Sequence, residues 1–327
     1  MVDLISEMEK RKEKIDRNIS DLFEESDHII WDMMSWYPLA GGKKLRPFLT
    51  MVSAGALGGD EDRAMPVGVS LELIHNFTLV HDDIMDGDEL RRGRKTLHRK
   101  ENIPSAINAG DALFSLSFRE LSGVDVDGET LRKIIYDIST SVVKIAEGQE
   151  EDMRFENTFD ISEEAFISMI DKKTSWLFQA CARCGAMVAG AEKEEIQKMG
   201  EYAKNMGIAF QIQDDYLDLI GNQDEIGKEV GSDIRCGKRT LVVIHTLSQL
   251  DGADAERLKE LLDKEKNTDD EITEALDLMK KAGSLDYARS KAEMYGRKAK
   301  EDIAFLPDSI YKEILVELVD FMIKRET

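Results

Sequence analysis

The sequence predicts an all-α fold: a single-domain bundle of ten or more helices around a central cavity. The first observation behind this prediction is that the 202 residues between Pro104 and Pro307 contain no proline. So long a run is unusual in a protein with many strands and turns, because proline is a frequent turn residue. The second observation is that apolar residues recur at helical spacing along most of the chain. No low-complexity linker divides the sequence, so we expect one domain over residues 1–327.

Each predicted helix is a segment in which apolar residues return every three or four positions. In chain order these segments are Leu4 to Phe23, Pro66 to Met85, Ile103 to Leu121, Leu131 to Met153, Ser162 to Ala189, Lys193 to Ile220, Thr240 to Leu250 and Asp308 to Ile323. Gly123 and Gly128 mark a turn between two of them, and Gly221 and Gly227 mark a longer break.

Composition excludes several classes of function. The formal net charge of −22 argues against a nucleic-acid partner, which would require a basic face. The longest apolar stretches fall well short of the roughly 18 residues that span a membrane, so no transmembrane segment is expected. The N-terminal residues are too highly charged for a signal peptide, and a cytoplasmic protein is therefore expected.

The three cysteines are too few for a disulfide framework. Cys181 and Cys184 form a CxxC pair, but it lies inside a predicted apolar helix and no second pair completes a zinc site. We interpret these two cysteines as small buried residues.

An acidic motif of the form DDxxD is the strongest functional signal in the chain. It occurs twice, as Asp82, Asp83 and Asp86 and, 132 residues later, as Asp214, Asp215 and Asp218. On a helix, the first and last aspartates of each motif lie on one face, where like charges repel. Aspartate is also a poor helix former. Two such unfavourable arrangements indicate a functional cause, although acidic runs are also common on solvated helix faces.

The sequence before each motif argues against that alternative. Phe77 and Val80 precede the first motif, and Ile208 and Ile212 precede the second, so each acidic cluster ends an apolar helix. Clusters that offer one or two carboxylates per ion suit Mg²⁺, which completes its shell with water and substrate phosphates. An EF-hand is excluded because its twelfth position, counted from Asp83, would be Arg94. There is no Walker A loop either.

Basic residues suited to phosphate binding lie near the acidic motifs in sequence or in an upstream glycine-containing loop. They are Lys43, Arg46, Arg91, Arg92, Lys228 and Lys238. His75 precedes Asp82 by two helical turns on the same face, where it could donate a hydrogen bond to a phosphate; a core histidine is the alternative. Together these residues predict a site for diphosphate.

The combined motifs closely resemble those of the trans-isoprenyl diphosphate synthases, or polyprenyl synthetases, of the short-chain branch. The likeness runs from Gly41 to about Leu247, without a departure at the positions that carry it. The motifs are GGKxxRP from Gly41, Glu72-x-x-His75, the two DDxxD motifs, Arg91-Arg92-Gly93, Gly110-Asp111-Ala112-Leu113, Lys173-Thr174, Phe210-Gln211, Lys228 and Lys238.

The resemblance implies the isoprenoid synthase fold and the head-to-tail condensation of isopentenyl diphosphate with an allylic diphosphate. By the family pattern, isopentenyl diphosphate would be held by Lys43, Arg46, His75 and Arg92. Mg²⁺ would be bound by Asp82, Asp86 and Asp214, aided by Asp83, Asp215 and Asp218. The allylic diphosphate would be contacted by Arg91, Lys173, Thr174, Gln211, Lys228 and Lys238.

Product length in this family depends on the residues just before the first motif, Phe77 and Thr78. An aromatic residue at the fifth position before DDxxD, without an insertion, resembles the archaeal geranylgeranyl type. Ideal helix geometry alone places Thr78, rather than Phe77, beneath Asp82. Geranylgeranyl diphosphate is therefore the expected product, with farnesyl and geranylfarnesyl diphosphate as alternatives. Phe77 as ordinary core packing also stays open.

Two other functions are weighed against this one. A terpene cyclase would not need Lys43, Arg46 and His75, which serve a second diphosphate. A non-catalytic subunit of a prenyltransferase complex would be expected to lack motif residues that are intact here. The family resemblance also implies a homodimer, for which an apolar helix such as Ile103 to Phe118 would supply the interface.

Overall fold

A computed structural model of the chain describes residues 2–221, 231–264 and 266–324. These residues are predominantly helical, which confirms the predicted all-α class. In chain order the helices are α1 (Leu4–Phe23), α2 (Ile29–Met34), α3 (Leu45–Ala56), α4 (Glu61–Met85), α5 (Leu97–Lys100), α6 (Ile103–Ser122), α7 (Gly128–Phe155), α8 (Glu163–Ile170), α9 (Trp176–Val188), α10 (Lys193–Ile220), α11 (Ser232–Arg235), α12 (Leu241–Gln249), α13 (Gly252–Leu262), α14 (Asp269–Lys281), α15 (Ser284–Asp302) and α16 (Ile310–Ile323).

Predicted helix ends agree with the structure to different degrees. Helices α1 and α10 match at both ends. Helix α4 begins at Glu61, five residues before the predicted start at Pro66, because the Asp60 side chain accepts a hydrogen bond from the Asp62 amide and caps the helix.

Several helices were not among those predicted, namely α2, α3, α5, α11 and the run from α13 to α15. Helix α3 is buried at every position except Arg46, and Pro47 lies in its first turn, where proline is tolerated. The predicted helix from Ser162 to Ala189 is also wrong in one respect. It is interrupted by a π-helical turn, Asp171–Ser175, between α8 and α9.

A short β-hairpin follows α4 and was not predicted. Strands β1 (Leu90–Arg91) and β2 (Arg94–Lys95) pair antiparallel, and Arg92 and Gly93 form the connecting turn with φ angles of 53° and 72°. Positive φ at both central residues is typical of the type I′ turn that suits a two-residue hairpin. The hairpin places Arg91 and Arg92 directly after the first acidic motif.

The described residues form two compact units. The first unit comprises Met1–Thr140, Leu177–Glu201 and Ile303–Leu318. Within it α4 packs against α3 and α6, and the side chains of Leu71, Leu73 and Ile74 are fully buried. Close helix contact is possible because Gly68 lies where a methyl group would come within 2.6 Å of the Pro47 Cα atom.

The second unit comprises Ser141–Trp176, Tyr202–Asp302 and Val319–Thr327. Its core joins α8, α10 and α12–α15 through a cluster that includes Phe166, Ile208, Ile212 and Leu241. The expectation of one domain over residues 1–327 stays a prediction.

No helix among the described residues is long and apolar enough to cross a membrane. Cys181 and Cys184 are fully buried in α9, as predicted, while Cys236 is exposed.

Candidate functional site

The first acidic motif lies at the C-terminal end of α4, in the first unit. Asp82 is half-buried, Asp83 is buried and Asp86 is exposed. The Asp86 amide donates to the Asp82 carbonyl oxygen at 2.8 Å and closes the last turn of the helix. Asp82 and Asp86 therefore differ from Asp83, whose side chain faces the protein interior.

Asp83 belongs to a buried network with Tyr37 and Arg91. The Tyr37 hydroxyl donates to one carboxylate oxygen, and Arg91 Nε donates to the other at 2.5 Å. The same Tyr37 oxygen accepts from the Leu97 amide at 3.0 Å. Burial raises the pKa of Asp83, and the Arg91 charge and the Tyr37 hydrogen bond partly offset that effect. Burial likewise raises the pKa of Tyr37. Tyr37 is not among the residues predicted for the site.

His75 lies on α4, the helix that carries the first acidic motif, and the charges of several cationic side chains act on it. Burial, followed by the charges of Arg46, Arg92, Arg91 and Lys44, lowers the pKa of His75 well below its ordinary value. These effects favour the neutral imidazole, which can donate one hydrogen bond without adding charge. In a chain with a net charge of −22, such a concentration of cations is the electrostatic signature of an anion site.

The two lysines of the GGKK loop have different environments. Lys43 is exposed. Lys44 is buried, donates to the Pro38 carbonyl oxygen at 2.6 Å and lies 3.6 Å from the Glu72 carboxylate. Lys43 is the lysine predicted to contact substrate, and the burial of Lys44 indicates that Lys44 has a structural role.

Arg92 and the GGKK loop approach each other closely. Arg92 Nη1 donates to the Gly41 carbonyl oxygen at 3.4 Å. Gly42 has a φ of 106°, a conformation that favours glycine, and a methyl group there would lie 2.8 Å from Arg92 Nη1, at the end of a flexible side chain. Residues 41–46 and the hairpin thus bring the predicted isopentenyl diphosphate ligands together within the first unit.

The residues predicted to set product length, Phe77 and Thr78, lie on α4, and Phe77 packs against α6. The Phe77 ring contacts Phe114 of α6 with centroids 5.1 Å apart, and Phe114 contacts Phe118 at the same distance. The Thr78 hydroxyl donates to the His75 carbonyl oxygen at 2.9 Å. Phe77 therefore begins a row of aromatic rings that continues along α6.

The family motif at Gly110 also has a steric basis. A methyl group at that position would lie 2.5 Å from His81 Nε2, so Gly110 makes room for the imidazole of α4. His81 Nε2 lies 3.7 Å from the Asp111 carboxylate.

The second acidic motif lies near the C-terminal end of α10, in the second unit. Asp214 is half-buried. Asp215 is buried and accepts from the Gln211 side-chain amide at 2.9 Å; burial, followed by the charge of Asp233, raises its pKa well above the ordinary value. Asp218 accepts from the Ser232 hydroxyl at 2.6 Å and from the Asp233 amide at 3.0 Å. The carboxylates of Asp215 and Asp218 thus accept hydrogen bonds from other residues of the second unit.

The residues predicted to contact the allylic diphosphate are partly assembled in the same unit. Lys173 Nζ donates to Asp152 at 2.5 Å, and the Thr174 hydroxyl donates to Gln211 Oε1 at 2.8 Å. Lys238 Nζ lies 3.9 Å from the Asp233 carboxylate. Lys228 lies outside the described residues.

Within the described ranges, no group of three or more His, Cys, Asp or Glu side chains is arranged to hold a metal ion. A site that relies on substrate phosphates and water needs only one or two carboxylates per ion. Asp82 and Asp86, one helical turn apart, provide such a pair of hard oxygen donors. The donor chemistry therefore fits Mg²⁺ better than a metal enclosed by protein ligands alone.

A cavity of about 830 Å³ in the second unit is lined by Tyr216, Leu217 and Ile220 of α10 and by residues of α15 and α16. None of the residues predicted for the site is among its described lining residues. Its cations are largely neutralised, since Lys300 lies 2.7 Å from Asp320 and Arg289 lies 3.5 Å from Glu293. We do not identify this cavity with the predicted site.

Comparisons with known proteins agree with these features. Residues 28–279 match the family model described as polyprenyl synthetase. The chain is 40% identical over 325 residues to a short chain isoprenyl diphosphate synthase of Methanothermobacter thermautotrophicus, covering 97% of this chain and 96% of the relative. It is 38% identical to a geranylfarnesyl diphosphate synthase of Aeropyrum pernix, covering 91% and 98% of the two chains.

Solved structures of related enzymes are similar to this chain over nearly its whole length. The crystal structure of geranylgeranyl pyrophosphate synthetase from Pyrococcus horikoshii is similar with a TM-score of 0.93 and 40% identity, covering 98% of both chains. A polyprenyl synthase from Caulobacter crescentus, complexed with calcium and isoprenyl diphosphate, is similar with a TM-score of 0.90 and 30% identity, covering 99% of this chain and 97% of the other.

Proposed function

Because this chain belongs to the polyprenyl synthetase family and is therefore a prenyltransferase, we propose that it condenses isopentenyl diphosphate with C5, C10 and C15 allylic diphosphates. The observation that carries this proposal is the approach of Arg92 to the GGKK loop in the first unit, together with the charges of Arg46, Arg91 and Arg92 that act on His75. Family members need a site for a second diphosphate, and a terpene cyclase does not.

Isopentenyl diphosphate would be held by Lys43, Arg46, His75 and Arg92. The proximity of Arg92 to the GGKK loop supports this assignment, since Arg92 Nη1 reaches the Gly41 carbonyl oxygen. Arginine provides a planar fork for phosphate oxygens, and lysine provides a point charge.

The allylic diphosphate would be contacted by Lys173, Thr174, Gln211 and Lys238, with Arg91 and Lys228 as further expected ligands. The chain from Thr174 through Gln211 to Asp215 fixes the orientation of the Gln211 side-chain amide. Lys173, paired with Asp152, is pre-oriented for an anion without prior substrate binding.

Mg²⁺ would be bound by Asp82 and Asp86 in the first unit and by Asp214 in the second, aided by Asp83, Asp215 and Asp218. When bound, the ion would stabilise the negative charge that grows on the diphosphate as the allylic C–O bond breaks. The calcium and isoprenyl diphosphate bound to the Caulobacter protein support a divalent-cation site in this family.

The chain's own residues would position the two substrates and exclude water. Ionisation of the allylic substrate leaves a carbocation, which the double bond of isopentenyl diphosphate attacks before a proton is lost. No protein nucleophile is required, and the released diphosphate is a plausible proton acceptor. Apolar side chains such as Phe77 and Val80 before the first motif would protect the carbocation from water.

We propose geranylgeranyl diphosphate as the main product. The relatives include both geranylgeranyl and geranylfarnesyl diphosphate synthases, so a C25 product is the alternative that they support. We further propose that the protein is cytoplasmic and acts as a homodimer.

The proposal is tested with purified protein, Mg²⁺, labelled isopentenyl diphosphate and each of the C5, C10 and C15 allylic diphosphates, with chromatography of the products. Asp82→Ala should abolish turnover at saturating Mg²⁺, because it removes one of the two carboxylates, Asp82 and Asp86, that are proposed to bind the ion in the first unit. Asp62→Ala is the matched control, since Asp62 lies in the first turn of the same helix and pairs with Lys14. Near-wild-type activity of Asp82→Ala would refute the metal assignment.

A further inference from the structure

The π-helical turn Asp171–Ser175 contains two residues assigned to the allylic diphosphate, Lys173 and Thr174. A π-turn inserts an extra residue into a helix and weakens its regular hydrogen bonding, so it persists only where surrounding contacts stabilise it. Such turns are frequent at functional sites. The contacts that stabilise this turn therefore also help to fix the positions of Lys173 and Thr174.

Two glycines of the second unit, one on α7 and one on α10, contact the turn. A methyl group on Gly148 of α7 would lie 2.4 Å from the Lys173 backbone nitrogen and 2.8 Å from its Cα atom. A methyl group on Gly207 of α10 would lie 2.8 Å from the Ser175 Cα atom and 2.7 Å from its hydroxyl oxygen. Real Cβ atoms essentially never come so close, so neither helix could approach the turn as it does with alanine there.

Each glycine is followed, one helical turn later, by the side chain that holds a residue of the turn. Four residues after Gly148, Asp152 accepts a hydrogen bond from Lys173. Four residues after Gly207, Gln211 accepts a hydrogen bond from Thr174. Residues four apart lie on one face of a helix. The face of α7 that approaches the turn at Gly148 therefore also carries Asp152, and the face of α10 that approaches it at Gly207 also carries Gln211.

We propose that Gly148 and Gly207 are positioning residues for the allylic diphosphate. Their missing side chains let α7 and α10 approach the π-turn, and Asp152 and Gln211 then fix the directions of Lys173 and Thr174. This inference rests on the proposed function, because it assumes that Lys173 and Thr174 contact the allylic substrate.

Gly148→Ala tests the proposal, with Gly128→Ala as the matched control on the same helix. Gly128 has no atom within 4 Å of the added methyl group, so its replacement should leave kinetics unchanged. In Gly148→Ala the displacement of Lys173 should lower kcat/KM for the allylic substrate by up to ~100-fold, the loss typical of a misplacement of about 1 Å. The KM for isopentenyl diphosphate should stay within about twofold of wild type, because its ligands are in the first unit.

Thermal unfolding of each variant separates positioning from stability. If Gly148 has only a packing role, Gly148→Ala will lower Tm, yet the folded protein below Tm will keep wild-type constants for both substrates. That result would overturn the proposal.

Asp152→Asn provides the test if Gly148→Ala does not fold, since it leaves the glycine contact intact and removes the charge that holds Lys173. It should raise the KM for the allylic substrate selectively, and equal effects on the two substrates would count against the proposal. The wild-type assay run in parallel distinguishes failure of this inference from failure of the proposed function, which would appear as a wild-type protein without condensation activity.

Discussion

Tyr37 links three parts of the first unit through one hydroxyl group. The hydroxyl donates to Asp83 of the first acidic motif and accepts from the Leu97 amide after the hairpin, while Arg91 of the hairpin binds the other Asp83 oxygen. The position of Arg91 therefore depends on Tyr37 as well as on Asp83. Because the Asp83 carboxylate is buried, loss of either partner leaves a buried polar group without one of its hydrogen bonds.

Tyr37→Phe removes that hydroxyl and keeps the ring. We expect a loss of roughly 1–3 kcal/mol in the free energy of unfolding, the cost of unsatisfied buried groups. We also expect a raised KM for the allylic diphosphate, because Arg91 is one of its proposed ligands. Denaturant unfolding and steady-state kinetics provide the two measurements. Tyr136→Phe is the control, since Tyr136 is 70% exposed and its variant should match wild type in both. Unchanged unfolding and kinetics in Tyr37→Phe would contradict this role.

At the scale of single residues, the sequence predicted which aspartates belong to the site but not which of them are buried. Spacing places Asp82 and Asp86 on one helix face, yet only the fold shows that Asp83 is buried against Tyr37, which lies 46 residues earlier in the chain. A partner so distant in sequence leaves no local signal. The same limit applies to Asp152, whose pairing with Lys173 depends on the approach of α7 to the π-turn.

At the scale of elements, the contact between α4 and α6 is where product length is expected to be set. On the proposed assignment, a growing prenyl chain would meet the rings of Phe77, Phe114 and Phe118, which contact one another in a row along α6. Phe77→Ala removes the first ring and leaves Phe114 as the next obstacle. We therefore expect a longer product than that of the wild type, measured by chromatography of dephosphorylated products.

The control for this prediction is Phe118→Ala. Phe118 contacts Phe114, and Phe77 remains in place in that variant, so its product length should not change. An unchanged product in Phe77→Ala would show that Phe77 is ordinary core packing, the alternative that the sequence left open.

Helical spacing recovered long helices such as α1 and α7, in which apolar residues recur every three or four positions. It did not recover α3, a 12-residue helix that begins at Leu45 and has Pro47 in its first turn, where proline is tolerated. It also did not reveal the π-turn. Five residues of π-helix within a longer helical segment leave the apolar pattern almost unchanged, and the glycines that accommodate the turn lie on two other helices.

At the scale of the whole molecule, charge is distributed to serve an anionic substrate in a strongly acidic protein. A net charge of −22 would repel a diphosphate, but Arg46, Arg91 and Arg92 are concentrated around His75. Local cations and bound divalent metal would overcome the unfavourable average charge at the site itself. The excess acidic residues elsewhere favour solubility, as a large net charge generally does.

The proposed homodimer depends on the exposed apolar side of α6. Ile103 and Ile107 lie one turn apart on this helix and are 51% and 40% exposed. Because residues four apart lie on one face of a helix, we assign these two isoleucines to the proposed interface. In a twofold dimer the same surface would meet its own copy, so one substitution changes the interface twice.

Ile107→Glu should therefore shift the protein from dimer to monomer, because it places two carboxylates in an apolar interface where their desolvation is unfavourable. Sedimentation velocity over a range of protein concentrations measures the change. Ile310→Glu is the matched control, since Ile310 is 50% exposed and lies at the start of α16. A monomeric wild type would refute the homodimer, and equal dissociation by both variants would show that the interface is not specific to α6.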